Sequence, residues 1–176
     1  PSAYIQFLRI RGTQWGDPVA DDPEIDGNLD TMLRRLDDKL KATLSVSVDF
    51  TSGTTTEVRA MPYPFSALQQ IARNAVMHRT YEGTNAPVRI YWFDDRIEIS
   101  NPGGPYGAVT QENFGRPGAS DYRNPVLAGA LKNMGFVQRF GFGIAEARRA
   151  MAHNGNPPPE FQAEATIVLA TLRQVA

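Results

Sequence analysis

The chain has 176 residues, of which 41% are hydrophobic and 21% are charged, and its formal net charge is −1. This length fits one domain with an additional arm, and the balanced charge carries no whole-chain signature of nucleic-acid binding. The absence of cysteine excludes disulfides and thiolate metal sites, and the two histidines are too few to indicate a zinc centre.

No apolar run approaches the roughly 18 residues that a membrane-spanning helix needs, and no signal-peptide pattern is recognisable. The chain opens with Pro1 and enters strand-like sequence within a few residues. We therefore expect an intracellular, cytoplasmic fragment of a longer protein, without a membrane partner.

The first part of the chain predicts a strand–helix arm. Tyr4–Ile10 is rich in β-forming residues, and an acidic, proline-containing loop follows over Asp17–Gly27. Leucines then recur at helical spacing over Asn28–Lys41. Leu44–Phe50 alternates apolar and polar residues, which predicts a half-buried strand, and Thr54–Met61 is its candidate partner across a Ser-Gly turn.

An amphipathic helix is predicted to begin near Pro64, which suits a first helical turn and is followed by apolar residues at core-facing spacing. On another face, Gln70, Asn74 and His78 are spaced i, i+4 and i+8, so their side chains line up along the helix. The sequence therefore predicts a polar edge on an otherwise buried helix.

A hairpin and a long loop follow this helix. Pro87–Phe93 and Arg96–Ser100 predict two strands joined by a tight turn of two aspartates. The segment from Asn101 to Gly104 breaks the second strand, and about twenty residues then run to Arg123 without a helix or strand pattern. Loops of this length inside compact domains are often functional lids.

Two helices and a strand complete the predicted elements. Asn124-Pro125 is typical of an N-cap followed by proline at the first helical position, and this helix is predicted to end at Gly135. The next helix is predicted from about Gly141–Gly143 to His153, where a glycine and three prolines stop it. Thr166–Leu172 predicts the final strand.

Three short segments contain residue types that fit a nucleotide site. A carboxamide on a helix, as in Gln70-x-x-x-Asn74, can ligate Mg²⁺ through its oxygen. A glycine turn after a strand, as at Asn101, lets backbone approach a flat ligand, and glycines before a helix, as at Arg139–Gly143, free N–H groups for phosphate. Each segment alone also fits a surface hydrogen bond, a strand-ending turn or an ordinary helix start. Their order along the chain favours the functional interpretation.

Taken in order, these segments resemble the histidine-kinase-like ATPase module of RecG-like transcriptional regulators, within the wider GHKL group that includes the histidine kinases and gyrase B. The resemblance covers about residues 62–172, and residues 1–43 resemble more loosely the tail of a Schlafen-type AlbA domain and its linker. The motifs that carry it are Tyr63-Pro64, Ala67-Leu68, Asn74-Ala75, His78-Arg79-x-Tyr81, Asp94-Asp95-Arg96-Ile97-Glu98-Ile99-x-Asn101-Pro102-Gly103-Gly104, Arg123-Asn124-Pro125 and Gly141-x-Gly143-Ile144.

The resemblance implies an ATP-binding, Bergerat-type α/β domain (an α+β two-layer sandwich) whose mixed sheet carries helices on one face. It assigns Asn74 to Mg²⁺ and the phosphates, Asn101 to the adenine amine, Gly103 to the face of the base, and residues 104–122 to the ATP lid. The implied nucleotide-binding residues are Asn74, His78, Asn101, Gly103, Gly104, Arg123, Arg139, Gly141 and Gly143.

Gln70 departs from the family pattern. The position four residues before the Mg²⁺ asparagine is normally a glutamate that activates the attacking water, and a carboxamide cannot accept that proton. Loss of a general base typically costs on the order of 10²–10⁴ in rate. Thr80 departs as well, because the pattern places aspartate there. We therefore expect nucleotide binding with weak or absent hydrolysis.

One leading hypothesis and two alternatives follow. We expect residues 44–176 to be an ATP- and Mg²⁺-binding regulatory domain, and residues 1–43 to be a remnant of, or linker from, a preceding AlbA-type domain. The intact protein is expected to act on DNA as a transcriptional regulator through domains outside this fragment, and a homodimer is left open. The alternatives are a dimerisation scaffold that no longer binds nucleotide, and a slow ATP hydrolase with Glu82 or Glu112 as its base. A helicase motor is not expected, because the chain lacks a G-x-x-x-x-G-K-[ST] loop.

Overall fold

The computed structural model describes residues 4–49, 61–137 and 142–175. Within these ranges the chain forms seven strands and four helices. The strands are β1 (Ile5–Ile10), β2 (Val19–Asp21), β3 (Glu24–Ile25), β4 (Val88–Trp92), β5 (Arg96–Pro102), β6 (Glu160–Ala163) and β7 (Ile167–Arg173). The helices are α1 (Leu29–Asp49), α2 (Phe65–His78), α3 (Pro125–Asn133) and α4 (Gly143–Asn154).

The strands form one mixed sheet in the order β2-β1-β4-β5-β7-β6, and β3 pairs with the same edge of β1 as β2. Only β1 and β4 are parallel among these neighbours, with Phe7 opposite Ile90. A parallel pair needs a long crossover, which α1 and α2 supply. The β4–β5 hairpin closes through the Phe93 N–H, which donates to the Arg96 carbonyl oxygen at 2.9 Å.

The hydrophobic core lies between one face of the sheet and the helices. Along β1, Ile5 and Phe7 are fully buried in this core, whereas Gln6 between them stays partly exposed. α2 is the central helix, since it contacts α1, α3, α4, β4 and β5. A salt bridge of 2.6 Å between Arg73 of α2 and Asp37 of α1 fixes the spacing of these two helices. The predicted fold class, an α/β domain with a mixed sheet, is confirmed.

The strand predicted at Leu44–Phe50 is wrong up to residue 49, because these residues extend α1. Leu44 is buried and continues the stripe of Leu36 and Leu40 at intervals of four residues. Alternation over a few residues is compatible with the period of a strand and with that of a helix. Here packing against the rest of the core favours the helix. α1 is therefore continuous across the position between residues 43 and 44, where we expected two segments to meet.

Three short edge strands were not predicted. β2 and β3 lie inside the Asp17–Gly27 segment that we expected to be a loop, and β6 precedes the last strand. The side chains of β2 are all exposed, so no apolar alternation marks it in the sequence. Backbone pairing with a neighbouring strand is sufficient to form such edges.

The other predicted elements agree with the structure within about two residues: the helix after Pro64, the β4–β5 hairpin, the loop up to Arg123, both later helices and the last strand. The predicted pairing over Thr54–Met61 falls almost entirely on residues 50–60, outside the described ranges. No helix in the described ranges combines the length and apolar character needed to cross a membrane.

Candidate functional site

A cavity of about 110 Å³ lies between α2, the end of β5 and the start of α4, and the loop after β5 covers it. The polar residues and glycines that line it include seven positions singled out from the sequence: Gln70, Asn74, His78, Asn101, Gly103, Gly104 and Gly143. The structure therefore brings together residues that are up to 73 positions apart in the chain. Arg139 and Gly141 lie outside the described residues.

The polar edge of α2 faces this cavity. Gln70 and Asn74 line it from adjacent turns of the helix, while the opposite side of α2 is buried in the core. Among the described residues, neither carboxamide has a hydrogen-bond partner in the protein. The Gln70 Oε1 atom points toward the start of α4, 3.2 Å from the position that a Cβ atom on Gly143 would occupy.

His78 occupies the end of the same edge and stacks on a residue of the covering loop. The centres of the His78 and Tyr122 rings lie 5.7 Å apart, with an interplanar angle of 12°. The Lys132 ammonium lies 4.4 Å from the centre of the same Tyr122 ring. Burial, with a smaller contribution from the Arg123 guanidinium, lowers the pKa of His78 to about 4. The imidazole is therefore neutral near pH 7.

Asn101 is buried at the end of β5 and has a defined orientation. Its Nδ2 donates to the carbonyl oxygens of Pro102 and Gly103 at 3.3 and 3.4 Å. The opposite orientation of the Asn101 amide would place its oxygen against two carbonyl oxygens, which are also acceptors. These neighbours therefore fix which amide atom is nitrogen and which is oxygen. The Oδ1 atom is left as the acceptor that Asn101 can offer to a ligand.

The two glycines after Pro102 are required by packing. Gly103 has φ +97°, and its missing side chain faces the backbone nitrogen of Thr80 at 3.0 Å. A Cβ atom on Gly104 would lie 2.2 and 2.5 Å from the carbonyl oxygens of Glu164 and Ala165. Both glycines also line the cavity, so the tight turn presents backbone to it.

The loop over residues 104–122, called the lid below, has no helix or strand and is held by local side-chain contacts. Asp121 accepts hydrogen bonds from the backbone N–H groups of Ala108 and Tyr122 at 3.0 and 2.8 Å. Thr110 and Asn113 bond each other's backbone N–H groups reciprocally. These contacts give the lid an internal structure without regular elements.

The downstream end of the lid is fastened in two directions. The Arg123 Nη2 donates to the Gly104 carbonyl oxygen at 3.2 Å, so the two ends of the lid are joined. The Asn124 Nδ2 donates to the carbonyl oxygens of Met77 and Arg79 at 3.1 and 2.6 Å, at the C-terminus of α2. Arg123 does not line the cavity.

The prediction that Asn124 caps α3 is correct in position but wrong in the role of the side chain. Asn124 is the N-cap residue, and its side chain makes no capping hydrogen bond to α3. The unpaired carbonyls at the end of α2 take the amide instead, because they lie within its reach. Asn124 thus bonds the C-terminus of α2 through its side chain and is the N-cap of α3 through its backbone position.

An apolar end of the cavity was not expected from the sequence. Phe114 of the lid and Phe161 of β6 lie 5.6 Å apart and line the cavity with Val109 and Ile144. The Arg148 side chain donates to the Gly115 carbonyl oxygen at 2.6 Å. These contacts join elements distant in sequence, and no local pattern encodes them.

Carboxylates are scarce in the site. Asp121 is the one carboxylate among the described residues that line the cavity, and its two N–H donors lower its pKa. Glu82 and Glu112 do not line it. Within the described ranges, no three His, Asp or Glu side chains gather as a ready metal site. The available donor, the Asn74 carboxamide, fits a Mg²⁺ ion that is held mainly by phosphate oxygens and waters.

The fold and the matching family model define a RecG-like, histidine-kinase-like ATPase-type domain. The family described as "Putative ATP-dependent DNA helicase recG C-terminal" matches residues 85–172, half of the chain, and the chain belongs to this family. The match begins after α2, so Gln70, Asn74 and His78 precede it.

A solved structure shares the fold over almost the entire chain. It is the crystal structure of the DIP2311 protein from Corynebacterium diphtheriae, with a TM-score of 0.77 and 22% identity. The superposition covers 99% of this chain and 34% of that one, so this chain spans about a third of the solved relative. No match was found among curated proteins.

Proposed function

We propose that the chain is a regulatory domain that binds ATP together with Mg²⁺ and hydrolyses it weakly or not at all. The observation that carries the proposal is the cavity, which gathers two carboxamides of α2, the buried Asn101 and the glycine turns beneath one lid. Family membership supports the ATPase-type domain, and the choice of ligand follows from the chemistry of the lining residues.

Asn101 supports adenine as the base. Its Nδ2 is engaged by backbone carbonyls, so Oδ1 is the atom available to a ligand. An acceptor in this position fits the exocyclic amine of adenine and opposes the carbonyl oxygen that guanine carries at the equivalent position. A site that hydrogen-bonds one group discriminates strongly against a ligand that lacks it.

Asn74 supports Mg²⁺ bound with phosphate. Its carboxamide faces the cavity and has no hydrogen-bond partner among the described residues. Mg²⁺ would supply charge neutralisation for the phosphates, and it commonly keeps several waters when few protein ligands are present. The proposed phosphate contacts at Gly143, Gly141 and Arg139 extend this assignment to the start of α4.

Weak hydrolysis follows from the lack of a suitable general base. Gln70 occupies the position from which a glutamate would activate water, and its carboxamide cannot take up a proton. Asp121 is a weak base, because its backbone donors stabilise the charged carboxylate. The geometry therefore favours a binding switch, in which nucleotide and lid order each other.

The wider role extends beyond this chain. We propose that residues 1–43 derive from the end of an AlbA-type domain and that the intact protein regulates transcription by binding DNA through other domains. This chain spans 34% of its solved relative, which leaves room for such domains. The assignment rests on analogy with the family, since one fold can serve several functions.

The test is calorimetric titration of ATP and Mg²⁺ into the chain and into Asn74→Ala. We expect a dissociation constant of about 1 mM or tighter, which the variant weakens at least about tenfold. Asn133→Ala, at an exposed position of α3, is the matched control and should bind as the wild type does. Absence of binding by the folded wild type would sink the proposal and favour the dimerisation scaffold.

Gln70→Glu tests the proposed loss of hydrolysis. If only the general base is missing, this variant should release inorganic phosphate from ATP about 10²-fold faster than the wild type. The equivalent exchange at Gln162, an exposed residue of β6 that does not line the cavity, controls for added charge. Equal rates in all three proteins would show that Gln70 does not limit turnover.

A further inference from the structure

The tip of the lid is held by one arginine of α4. The Arg148 Nη1 donates to the Gly115 carbonyl oxygen at 2.6 Å. Its guanidinium carbon lies 5.7 Å from the centre of the Phe161 ring, and that ring lies 5.6 Å from Phe114. Arg148 therefore contacts the lid backbone directly and also packs against the ring on which the lid rests.

The approach of the lid to α4 is close at this point. A Cβ atom on Gly115 would lie 3.2 Å from the Arg148 Nη2 and 3.6 Å from a methyl group of Ile144. α4 is anchored from below by Ala147 and Met151, which are fully buried. Arg148 thus projects from a rigid helix to a loop that has no regular structure.

The two ends of the lid are constrained differently from its tip. Arg123 joins the downstream end to Gly104, and Asn124 fixes it to the C-terminus of α2. Phe114 and Gly115 both line the cavity, so displacement of the tip would open the cavity at its apolar end. This movement would break the Arg148 hydrogen bond to Gly115 and separate the Phe114–Phe161 pair.

We propose that Arg148 is a positioning residue that fastens the lid tip and sets the rate at which a nucleotide enters and leaves the cavity. The inference rests on the proposed nucleotide binding. Arg148 acts through Gly115 and does not itself line the cavity. A hydrogen bond from a charged donor is strong enough for its loss to change an opening equilibrium about tenfold or more.

The experiment is stopped-flow measurement with N-methylanthraniloyl-ATP and Mg²⁺ on wild type, Arg148→Ala and Arg149→Ala. Both rate constants, for association and for dissociation, should rise about tenfold in Arg148→Ala. Arg149 is the adjacent, exposed arginine of the same helix, so its variant should keep both wild-type rates. A general folding defect would instead accelerate dissociation and slow association.

Hydrogen exchange in the nucleotide-free proteins supplies a second readout. Amides of residues 112–118 should exchange faster in Arg148→Ala than in wild type or Arg149→Ala, while the buried part of α2 keeps its protection. Unchanged exchange in the lid, or slower association in Arg148→Ala, would overturn the inference. If the wild type binds no nucleotide, the proposed function fails, and lid exchange alone decides whether Arg148 fastens the tip.

Discussion

The two sides of the cavity are built differently. The wall formed by α2 and the end of β5 holds its polar groups on regular elements whose other faces lie in the core. The lid opposite has no regular element and depends on a few side-chain contacts at its ends and its tip. Asn101 is buried in the wall and bonded to its backbone, whereas Asp121 in the lid is half-buried.

This difference separates two properties of a binding site. Groups on packed elements keep their positions, so the wall can define which ligand fits and how it is oriented. A loop with few buried contacts opens at low free-energy cost, so the lid can control access without changing the wall. Substitutions in the wall should therefore affect global stability, and those in the lid should affect local opening.

The largest effect is expected for Gly104→Ala, at the first residue of the lid, where the chain leaves the wall and packs against the β6–β7 turn. The new methyl group would lie 2.2 and 2.5 Å from the carbonyl oxygens of Glu164 and Ala165, which belong to backbone and cannot rotate away. We expect a loss of about 4 kcal/mol in the free energy of unfolding. Denaturant titration followed by circular dichroism measures it.

Gly129→Ala is the matched control for this prediction. Gly129 lies within α3, and no atom lies within 4 Å of the position of a new Cβ. The same substitution should therefore stabilise the protein by about 0.5–1 kcal/mol, because alanine favours helix over glycine. Similar losses in both variants would contradict the packing explanation for Gly104.

The next largest effect is the loss of stability in acid that His78 causes, at its contact with Tyr122 of the lid. The pKa of His78 is about 4 in the folded protein, below its ordinary value of 6.5. Above pH 6.5 the ring is neutral in both states. Between pH 6.5 and 4 the unfolded chain binds a proton that the folded protein does not, so the free energy of unfolding falls as pH falls. The loss should reach about 3 kcal/mol.

Unfolding of His78→Gln should lack this part of the acid dependence, and the difference from wild type isolates it. His153→Gln, on the exposed side of α4, is the control and should retain the wild-type slope. Parallel curves for wild type and His78→Gln from pH 7 to 4 would rule out a buried neutral imidazole at the stacked position.

A smaller effect is expected for Asn124→Asp at the junction of wall and lid. The carboxylate loses the two hydrogen bonds to Met77 and Arg79 and faces the negative end of the α2 dipole. We expect a loss of about 2 kcal/mol in the free energy of unfolding at pH 7. Asn133→Asp also places a carboxylate near a helix C-terminus but removes no such bonds, so it should cost under about 1 kcal/mol. Equal losses in Asn124→Asp and Asn133→Asp would show that the new charge, and not the loss of the two hydrogen bonds, causes the destabilisation.

Local patterns in the sequence predicted the wall better than the lid contacts. The spacing of Gln70, Asn74 and His78 fixes a common helix face, and the structure places all three at the cavity. The hairpin, the turn at Gly103 and the long loop have signals within a few residues. These features depend on backbone periodicity and turn chemistry, which one sequence contains.

Contacts between distant elements were not predictable in the same way. Arg148 lies 33 residues after Gly115, and Asn124 lies 45 residues after Arg79. Both side chains have ordinary local roles, as a helix-dipole partner and as an N-cap, and tertiary neighbours replace those roles. α1 likewise extends beyond its predicted end because Leu44 finds a place in the core. The competition between local and distant partners is decided by packing, which only the folded chain defines.

The smallest effect is expected within the lid itself, for Gly118→Ala. Gly118 has φ +82°, and no atom lies near the position of its Cβ, so the cost comes from backbone conformation alone. Such strain costs about 1 kcal/mol, but the lid can escape it by opening locally, which limits the loss of global stability to less than this value. Gly16, in the β1–β2 connection, also has a positive φ and free space around its Cβ position. Gly16→Ala should therefore lower the free energy of unfolding by the full cost of the backbone strain. In Gly118→Ala, faster hydrogen exchange at residues 116–120 without a matching fall in the free energy of unfolding would show that the lid opens independently. A fall in that free energy comparable to that of Gly104→Ala would show that lid and wall unfold together.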